Sequence, residues 1–456
     1  MKEDLRGFVK RLEEKQEILT IEKEVDPRYI AALLSQTDKA VKFNNIKGDD
    51  IPVIGGLAKN RSKIAIALNC KPEEVLEKVS FALRNPLPSV ITQEAAPCQE
   101  IVKIGEEVDL TSFPIVLQHE KDGGPYISAG VQFMKDAKGG INAGIYRQMY
   151  RTPNTTGINL STSSDLRTLY SKALEENRPL EMAVALGLHP LEQLAAVYPA
   201  PTGFEEMSFA GALHGEAVKL VKCKTIDVLV PADAEIILEC EILPTGWVHD
   251  EGGYGELHGI MGEVKYNPIV KVKAITHRTD AMWHTLESPT EVYALRGPEL
   301  ESSAMALLES VRLRPKSVYA TPGGSTFFEM IVSLKNSTPG EGKAAIMALL
   351  TMMSVKFVTV VDDDINIFDR EDVAWAMSLR TQPDKDVIII PGCQGKHLDP
   401  SIKAWTLPKG QLPTTAKMGI DATIPAGVLP RQYDRISYAY ADKVNLDDFI
   451  SLKRSK

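Results

Sequence analysis

The sequence predicts a multidomain protein of mixed α+β and α/β class. An N-terminal α/β domain is expected over residues 1–118, a β-rich, barrel-like central domain over 119–297 and a C-terminal α/β domain over 298–456. Three observations predict this. The chain has 456 residues, too many for one ordinary core at roughly 100–200 residues per domain. Helix and strand patterns alternate at both ends. Between them runs a series of short segments rich in β-branched and aromatic residues.

Near the N-terminus, Leu5, Phe8, Val9 and Leu12 recur at helical spacing, which predicts a helix over 3–16. ILTIEKEV at 18–25 has a strand pattern. In the next segment Asp26 stands as an N-cap with Pro27 at the first helical position. PEEVLEKVSFAL at 72–83 repeats that helix signature. From about residue 120 the segments ISAGVQFMKD, GINAGIYRQMYR, EMAVALG, AVKLVKC, IDVLVP, AEIILECEIL, IVKVKAITHR and AMWHTLE read as strands broken by Gly, Pro and Asp. Many short strands with few helices favour a barrel-like sheet over a doubly wound one. Beyond residue 298 a linker helix (GPELESSAMALLESVRL), strands at FFEMIVSLKN, KFVTVVDDD and DVIIIPG, and helices at GKAAIMALLTMM and EDVAWAMSLR are expected. The tail from about 400 reads as Pro-rich and irregular, ending in a short terminal helix at NLDDFISLKR.

Composition excludes several functions. A net charge of −9 lacks the basic footprint of a nucleic-acid binder. It also offers no general funnel for anions, so a carboxylate ligand would need local cations, because surface charge is screened beyond about 8 Å at physiological salt. The five cysteines are scattered without a CxxC, which argues against a zinc or disulfide framework and for a reducing compartment. The start MKEDLRGFVKRLEEK has no apolar signal region, and no apolar run reaches the roughly 18 residues of a membrane span. A cytoplasmic, non-membrane protein is expected.

Two motifs invite and then resist a functional reading. STPGEGKAA at 337–345 contains a Gly-Lys pair but lacks the first glycine of a phosphate-binding loop and has Ala344 where Ser or Thr is needed. VVDDDIN at 360–366 puts three aspartates at the end of a strand, which suits either a metal site or a helix-capping loop.

INAGIYRQMYR at 141–151 and HDEGGYGELHG at 249–259 carry more. Glu251 and Glu256 flank a Gly-Gly-Tyr-Gly bend, and glycines allow a tight turn and a close approach to a ligand. Two convergent carboxylates suppress each other's ionisation, so one can act as an acid near neutral pH. An arginine between them would order the pair. A solvated turn bearing two surface glutamates is the alternative.

The chain resembles the UbiD-like decarboxylases along most of its length. NAGIYRQ is similar to the family's N-x-G-[IM]-Y-R segment, MAVALGLHP to V-A-L-G-x-x-P, EMSFAGALHG to E-Y-x-x-A-G-x-x-x-G, and VPADAEIILE to V-P-A-x-A-E-I-V-x-E. DEGGYGELHG is similar to E-G-P-[YF]-G-[DE]-x-x-G, with Gly253 in place of proline, and KFVTVVDDDIN and AKMGIDAT follow in order. The resemblance implies a flavin-reductase-like split β-barrel that binds prenylated FMN. It implies a catalytic network of Arg147, Glu251 and Glu256, with Glu256 as proton donor. A divalent metal, usually manganese, with potassium nearby, would hold the flavin phosphate. Asn142 and Glu206 match two metal ligands, and Ser163 stands where the family has a histidine. Ile145, Tyr146, Arg147, Asn159, Leu160, Ser161, Ser163, Ser164 and Lys417 fall at cofactor-contacting positions. A helix N-cap run at Ser161–Asp165 and a surface lysine at Lys417 remain open beside those roles.

The implied reaction is the reversible, non-oxidative decarboxylation of an aromatic or heteroaromatic acid of furan or pyrrole type. His284 and Arg296, after the last barrel strand, are the candidate substrate residues, Arg296 as the clamp for a second carboxylate. A linker-helix Arg296 paired with a nearby acid is the alternative. A flavin prenyltransferase is the implied cofactor supplier, and a homo-oligomer, dimer or hexamer, the implied assembly. A cofactor-holding subunit without catalysis and a conventional flavin oxidoreductase are the competing functions.

Overall fold

A computed structural model describes residues 2–160, 164–201, 203–396, 398–402 and 413–449. The first helix, Leu5–Glu14, buries Leu5, Phe8, Val9 and Leu12, and Asp4 caps it by accepting from Gly7 N. It packs beside a four-stranded sheet in the order Ile18–Ile21, Ala40–Phe43, Val53–Gly55, Trp283–Thr285. The last of these strands returns from beyond the central domain. One hydrophobic core therefore runs through both N-terminal and central regions, from Leu5 to Leu295.

The central sheet has nine strands. Its main path runs Tyr126–Ile127, Gln148–Thr152, Thr155–Ile158, Ile269–His277, Ile236–Ile242, Leu180–Leu186, Val131–Lys135, Ile141–Ile145, and Ile101–Ile104 adds on against Ile269–His277. Chain connectivity forces this sheet to curl. Ile141–Ile145 and Gln148–Thr152 lie six strand spacings apart along the path, roughly 29 Å if flat. Yet Ile145 and Gln148 are three residues apart in sequence, a reach of at most about 11 Å. The result is a half-barrel whose seam is crossed by Tyr146 and Arg147. Gln132, fully buried, bridges that seam: its Nε2 donates to Tyr146 O at 2.9 Å and its Oε1 accepts from Tyr146 N at 2.7 Å.

By sheet membership the central unit takes in Val90–Ile91 and Ile101–Ile104, ahead of the expected boundary at 118. It gives Trp283–Thr285 to the N-terminal sheet. The linker helix runs Thr290–Ser310, longer than expected, with Pro298 inside it. The C-terminal sheet is ordered Pro315–Ala320, Glu329–Leu334, Phe357–Asp362, Thr414–Ala422, Val387–Gln394. Thr414–Ala422 lies in the segment expected to be irregular. Its polar and glycine positions hide a packed strand: a Cβ on Gly419 would stand 2.1 Å from Ile346 Cγ2 of the helix above. Of the expected terminal helix, the described part shows a 3₁₀ turn at Leu446–Asp448. Among the described residues, no helix is long and apolar enough to cross a membrane.

The seam is the weak line of the half-barrel. Gln132→Leu keeps the volume but leaves the Tyr146 N–H and C=O unpaired, at a cost of about 1–3 kcal/mol. A lower thermal midpoint for the flavin-free variant is expected, and an unchanged midpoint would show that the bridge does not hold the seam.

Candidate active site

Arg147 leaves the seam and meets both glutamates. Its Nε donates to Glu251 Oε1 at 2.9 Å and its Nη2 to Glu251 Oε2 at 3.0 Å, a bidentate pair. Its Nη1 donates to Glu256 Oε2 at 3.0 Å. The acid-bearing loop is placed by close backbone packing. Glu251 ends the short strand His249–Glu251, which pairs with Lys265–Asn267. Gly123 and Gly252 sit back to back, since a Cβ on Gly123 would stand 2.3 Å from Gly252 Cα. Gly123 N donates to Gly253 O at 2.9 Å, so the backbone at Gly253 is pinned without a proline. Asp122 accepts from Gly255 N at 3.0 Å. The Tyr254 ring lies 4.6 Å from the guanidinium carbon and 4.6 Å from the Tyr126 ring.

Burial alone would raise the Glu256 carboxyl, but Arg147 and Lys265 outweigh it and hold Glu256 below the usual glutamate range. Lys265, which the motifs did not reveal, donates to Glu256 Oε1 at 2.9 Å. Burial opposes the charge on Arg147, yet the two carboxylates keep the guanidinium firmly protonated. Burial raises the phenols of Tyr126 and Tyr254, so both stay neutral donors. Two carboxylates and their cations thus share one largely buried site.

A second set of oxygen donors lies around Asn142, on the strand Ile141–Ile145 that leads into the seam. Glu206 accepts from Ala143 N at 2.9 Å and from the Asn142 amide at 3.2 Å, and that amide also donates to Asp165 at 3.3 Å. Glu206 is 2 % exposed. Burial, aided by the Asp165 charge, raises its carboxyl to about 7 even against the hydrogen bond from Ala143 N. A buried carboxylate joined by a second acid, with no cation paired to either among the described residues, suits a hard divalent ion, and the donors are all oxygen-bearing. Asp165 was missed because it stands outside the family motif. Tyr146 is largely buried, with Ser164 and Leu166 beside its phenol. Ser164 caps the helix Asp165–Glu175 by accepting from Arg167 N at 3.2 Å, as the N-cap reading of this run expected. Asn159 N donates to Arg147 O at 3.2 Å, and Leu160 is buried. Ser161 and Ser163 lie outside the described residues.

Three expected contacts are redirected. Lys417 is 2 % exposed, and its Nζ donates to Leu350 O, Met352 O and Met353 O. It closes the end of the helix Glu341–Leu350 and is neither a surface lysine nor free to meet a cofactor. His284 is fully buried in the N-terminal sheet with no hydrogen-bond partner at either ring nitrogen among the described residues, and burial lowers it to about 3, so it is neutral. Arg296 donates to Val197 O at 2.8 Å and pairs with Glu299 at 3.0 Å, as the linker-helix reading expected. The aspartates at 362–364 are not gathered around a metal: buried Arg380 holds Asp362 and Asp364.

His189, Glu192 and His214 are the described side chains with metal-ligand spacing. They do not form a metal site. His189 Nδ1 accepts from Leu191 N, so its Nε2 carries the proton and faces Glu3, and the ammonium of Lys2 already sits on Glu192.

Removing the shared cation should be costly in a pH-dependent way. Arg147→Met strands buried Glu251 and leaves Glu256 with Lys265 alone, and at pH 8 it is expected to lose about 3–5 kcal/mol of stability. Near pH 5 the loss should shrink, because an acid left unpaired in the variant can take up a proton. Urea midpoints at the two pH values check this, and a pH-independent loss would contradict it.

Comparison with known proteins places this geometry. Residues 9–83, 89–289 and 300–422 match the N-terminal, Rift-related and C-terminal domains of the UbiD family, described as 3-octaprenyl-4-hydroxybenzoate carboxy-lyase. The chain is 35% identical over 426 residues to an anhydromevalonate phosphate decarboxylase of Methanothermobacter thermautotrophicus, covering 92% of this chain and 97% of that protein. It superposes on the UbiD-class enzyme HmfF from Pelotomaculum thermopropionicum, solved in complex with FMN, with a TM-score of 0.92 at 37% identity, covering 98% of this chain and 100% of that one. It also superposes on the apo 3,4-dihydroxybenzoic acid decarboxylase of Enterobacter cloacae, with a TM-score of 0.89 at 27% identity, covering 98% and 99%. With all three domains matched and the barrel seam presenting an arginine to two glutamates, this chain belongs to the UbiD family of carboxy-lyases and is a decarboxylase.

Proposed function

We propose that this protein catalyses the reversible, non-oxidative decarboxylation of an acid whose carboxyl sits on an sp² carbon, using prenylated FMN. The observation that carries this reading is the Arg147 guanidinium held between Glu251 and Glu256 at the barrel seam. Arg147 orients the substrate carboxylate and holds Glu251 beside it as a bidentate partner. Glu256 gives a proton to the carbon that loses CO₂. The buried walls around Tyr126 and Tyr254 exclude water from the leaving group. Prenylated FMN, when bound, supplies the electron sink that side chains lack.

Asn142, Glu206 and Asp165 would hold a divalent metal, with Mn²⁺ fitting their oxygen donors; Ser163 and a potassium ion belong to the same proposal. The helix start at Ser164 is suited to a phosphate. Tyr146, Ile145, Asn159 and Leu160 would contact the cofactor between that end and Arg147. Asn142 and Arg147 are five residues apart, a reach of up to roughly 17 Å along an extended strand. That would let one segment, the strand Ile141–Ile145 and the seam after it, serve a phosphate at one end and a reacting ring at the other.

For the substrate, the relative's name points to a phosphorylated unsaturated acid, whereas a heteroaromatic dicarboxylate was the reading from sequence. Both carry a second anionic group. Arg296 and Lys396 both approach the Phe327 ring, at 5.1 and 3.8 Å, and burial beside Arg296 lowers Lys396 to about 7, a shift that a bound anion would offset. The linker helix that carries Arg296 starts beside the acid loop, where Ser288 Oγ donates to Gly255 O at 3.3 Å. These cations support a substrate with a second anion. The exposed apolar side chains of the tail, Ile436, Tyr438, Leu446 and Phe449, support self-association.

Protein produced together with a flavin prenyltransferase and kept from air should release CO₂ from at least one acid of a panel of aromatic, heteroaromatic and phosphorylated unsaturated acids. Glu256→Gln should retain the modified flavin and lose turnover by about 10²-fold or more. A bound cofactor with no CO₂ from any acid would favour a cofactor-holding subunit. Dependence on NAD(P)H would favour a flavin oxidoreductase. Separately, Mn²⁺ should raise the thermal midpoint of the wild type and not that of Glu206→Gln; equal shifts would remove Glu206 from the metal site.

A further inference from the structure

Glu256 is held from two sides, and only one of them belongs to the arginine network. Lys265 takes Glu256 Oε1 at 2.9 Å while Arg147 takes Oε2 at 3.0 Å. Lys265 stands directly opposite Glu251 in the hairpin register. One hairpin therefore delivers both the acid that Arg147 binds doubly and the ammonium that binds the other acid. Side-chain exposure is 28% for Lys265, 9% for Glu256 and 0% for Glu251, so Lys265 is the solvent-side member. The loop between Glu256 and Lys265 closes on the carboxylate, since a Cβ on Gly262 would lie 2.7 Å from Glu256 Oε1.

The charges of this group balance. Arg147 and Lys265 offset Glu251 and Glu256. The neighbouring titratable groups are the neutral phenols Tyr126 and Tyr254, and Asp122 paired with His119 at 3.2 Å. A substrate carboxylate adds one negative charge. Its decarboxylation, R–COO⁻ + H⁺ → R–H + CO₂, consumes one proton.

We propose that Lys265 is a positioning residue that completes a charge-neutral quartet around Glu256, so that binding of the acid is coupled to uptake of one proton by Glu256 from solvent. This rests on the reading of Glu256 as the proton donor. Water supplies the proton that forms the O–H bond on Glu256 as the substrate carboxylate enters. That O–H bond then breaks as the C–H bond forms, and the electron pair of the broken C–C bond ends in the new C–H bond.

The test uses holoenzyme of wild type, Glu256→Gln, Lys265→Met and Lys265→Arg. The ionisation of Glu256 is read without substrate, from the pH dependence of the infrared difference between each Lys265 form and its Glu256→Gln counterpart. Removing one of two cations that favour the carboxylate must raise its midpoint. Lys265→Met is expected to shift it upward by about one pH unit, a tenfold change in the protonation equilibrium. Because the protonated acid is the active form, the alkaline limb of kcat/KM should move upward by the same amount. KM for the acid should rise about tenfold while kcat changes less, as loss of uniform binding requires. Lys265→Arg should restore all three. An unchanged midpoint and limb in Lys265→Met would overturn the proposal, even with KM altered, and if that variant does not fold, Lys265→Gln gives the same comparison. Full turnover by Glu256→Gln would instead overturn the reading of Glu256 as proton donor.

Discussion

The Arg147 guanidinium between two carboxylates is the interaction on which the rest of the site depends. Burying charge is tolerable only when it is paired and hydrogen-bonded. Arg147 meets that condition with three directed N–H donors, two to Glu251 and one to Glu256. The surrounding structure reads as what is needed to bring these groups together. The half-barrel curls so that Arg147 can cross its seam, Gln132 replaces the missing strand pairing there, and paired glycines let the acid loop press against the 119–125 segment. A side chain at either glycine would push Glu251 away from the arginine.

The fold couples this centre to its surroundings. The N-terminal and central regions share one core, so the linker helix leaves a rigid base. The acid loop also touches the C-terminal core through Leu257. The C-terminal domain therefore bears directly on the loop that carries Glu256, and movement of that domain would be felt at the proton donor. At the far end of the Ile141–Ile145 strand, the buried acid Glu206 and the solvent-facing Asp165 meet through the Asn142 amide. Among the described residues that end has no counterpart to Arg147 paired with its acids, which is the electrostatic reason a metal suits it.

Much of this was legible in the sequence, and the exceptions have physical causes. The amphipathic first helix and the β-rich centre follow from periodicity, and the convergence of Arg147 with Glu251 and Glu256 from motif resemblance. Lys265 and Asp165 were not legible because neither lies in a motif; the fold alone brings them to Glu256 and Glu206. The strand Thr414–Ala422 was hidden because its lysine and glycines are buried for structural reasons, Gly419 beneath Ile346 and Lys417 on helix-end carbonyls. His284 looked like a substrate ligand by position. Strand pairing with Val53–Gly55 places it inside the N-terminal sheet instead. The linker helix was read as starting near Pro298, but Pro298 lies inside the observed helix, and Glu291 organises its first turn by accepting from Gly56 N, Ala58 N and Glu287 N.

The most direct test of the central claim is a crystal structure of the cofactor-loaded protein with an unreactive substrate acid bound. The acid's carboxylate should lie within hydrogen-bond reach of Arg147, with its carboxyl-bearing carbon next to Glu256 and the flavin phosphate at the Asn142–Glu206 end. An acid bound away from Arg147, or a flavin whose ring lies at the Asn142 end, would contradict the account.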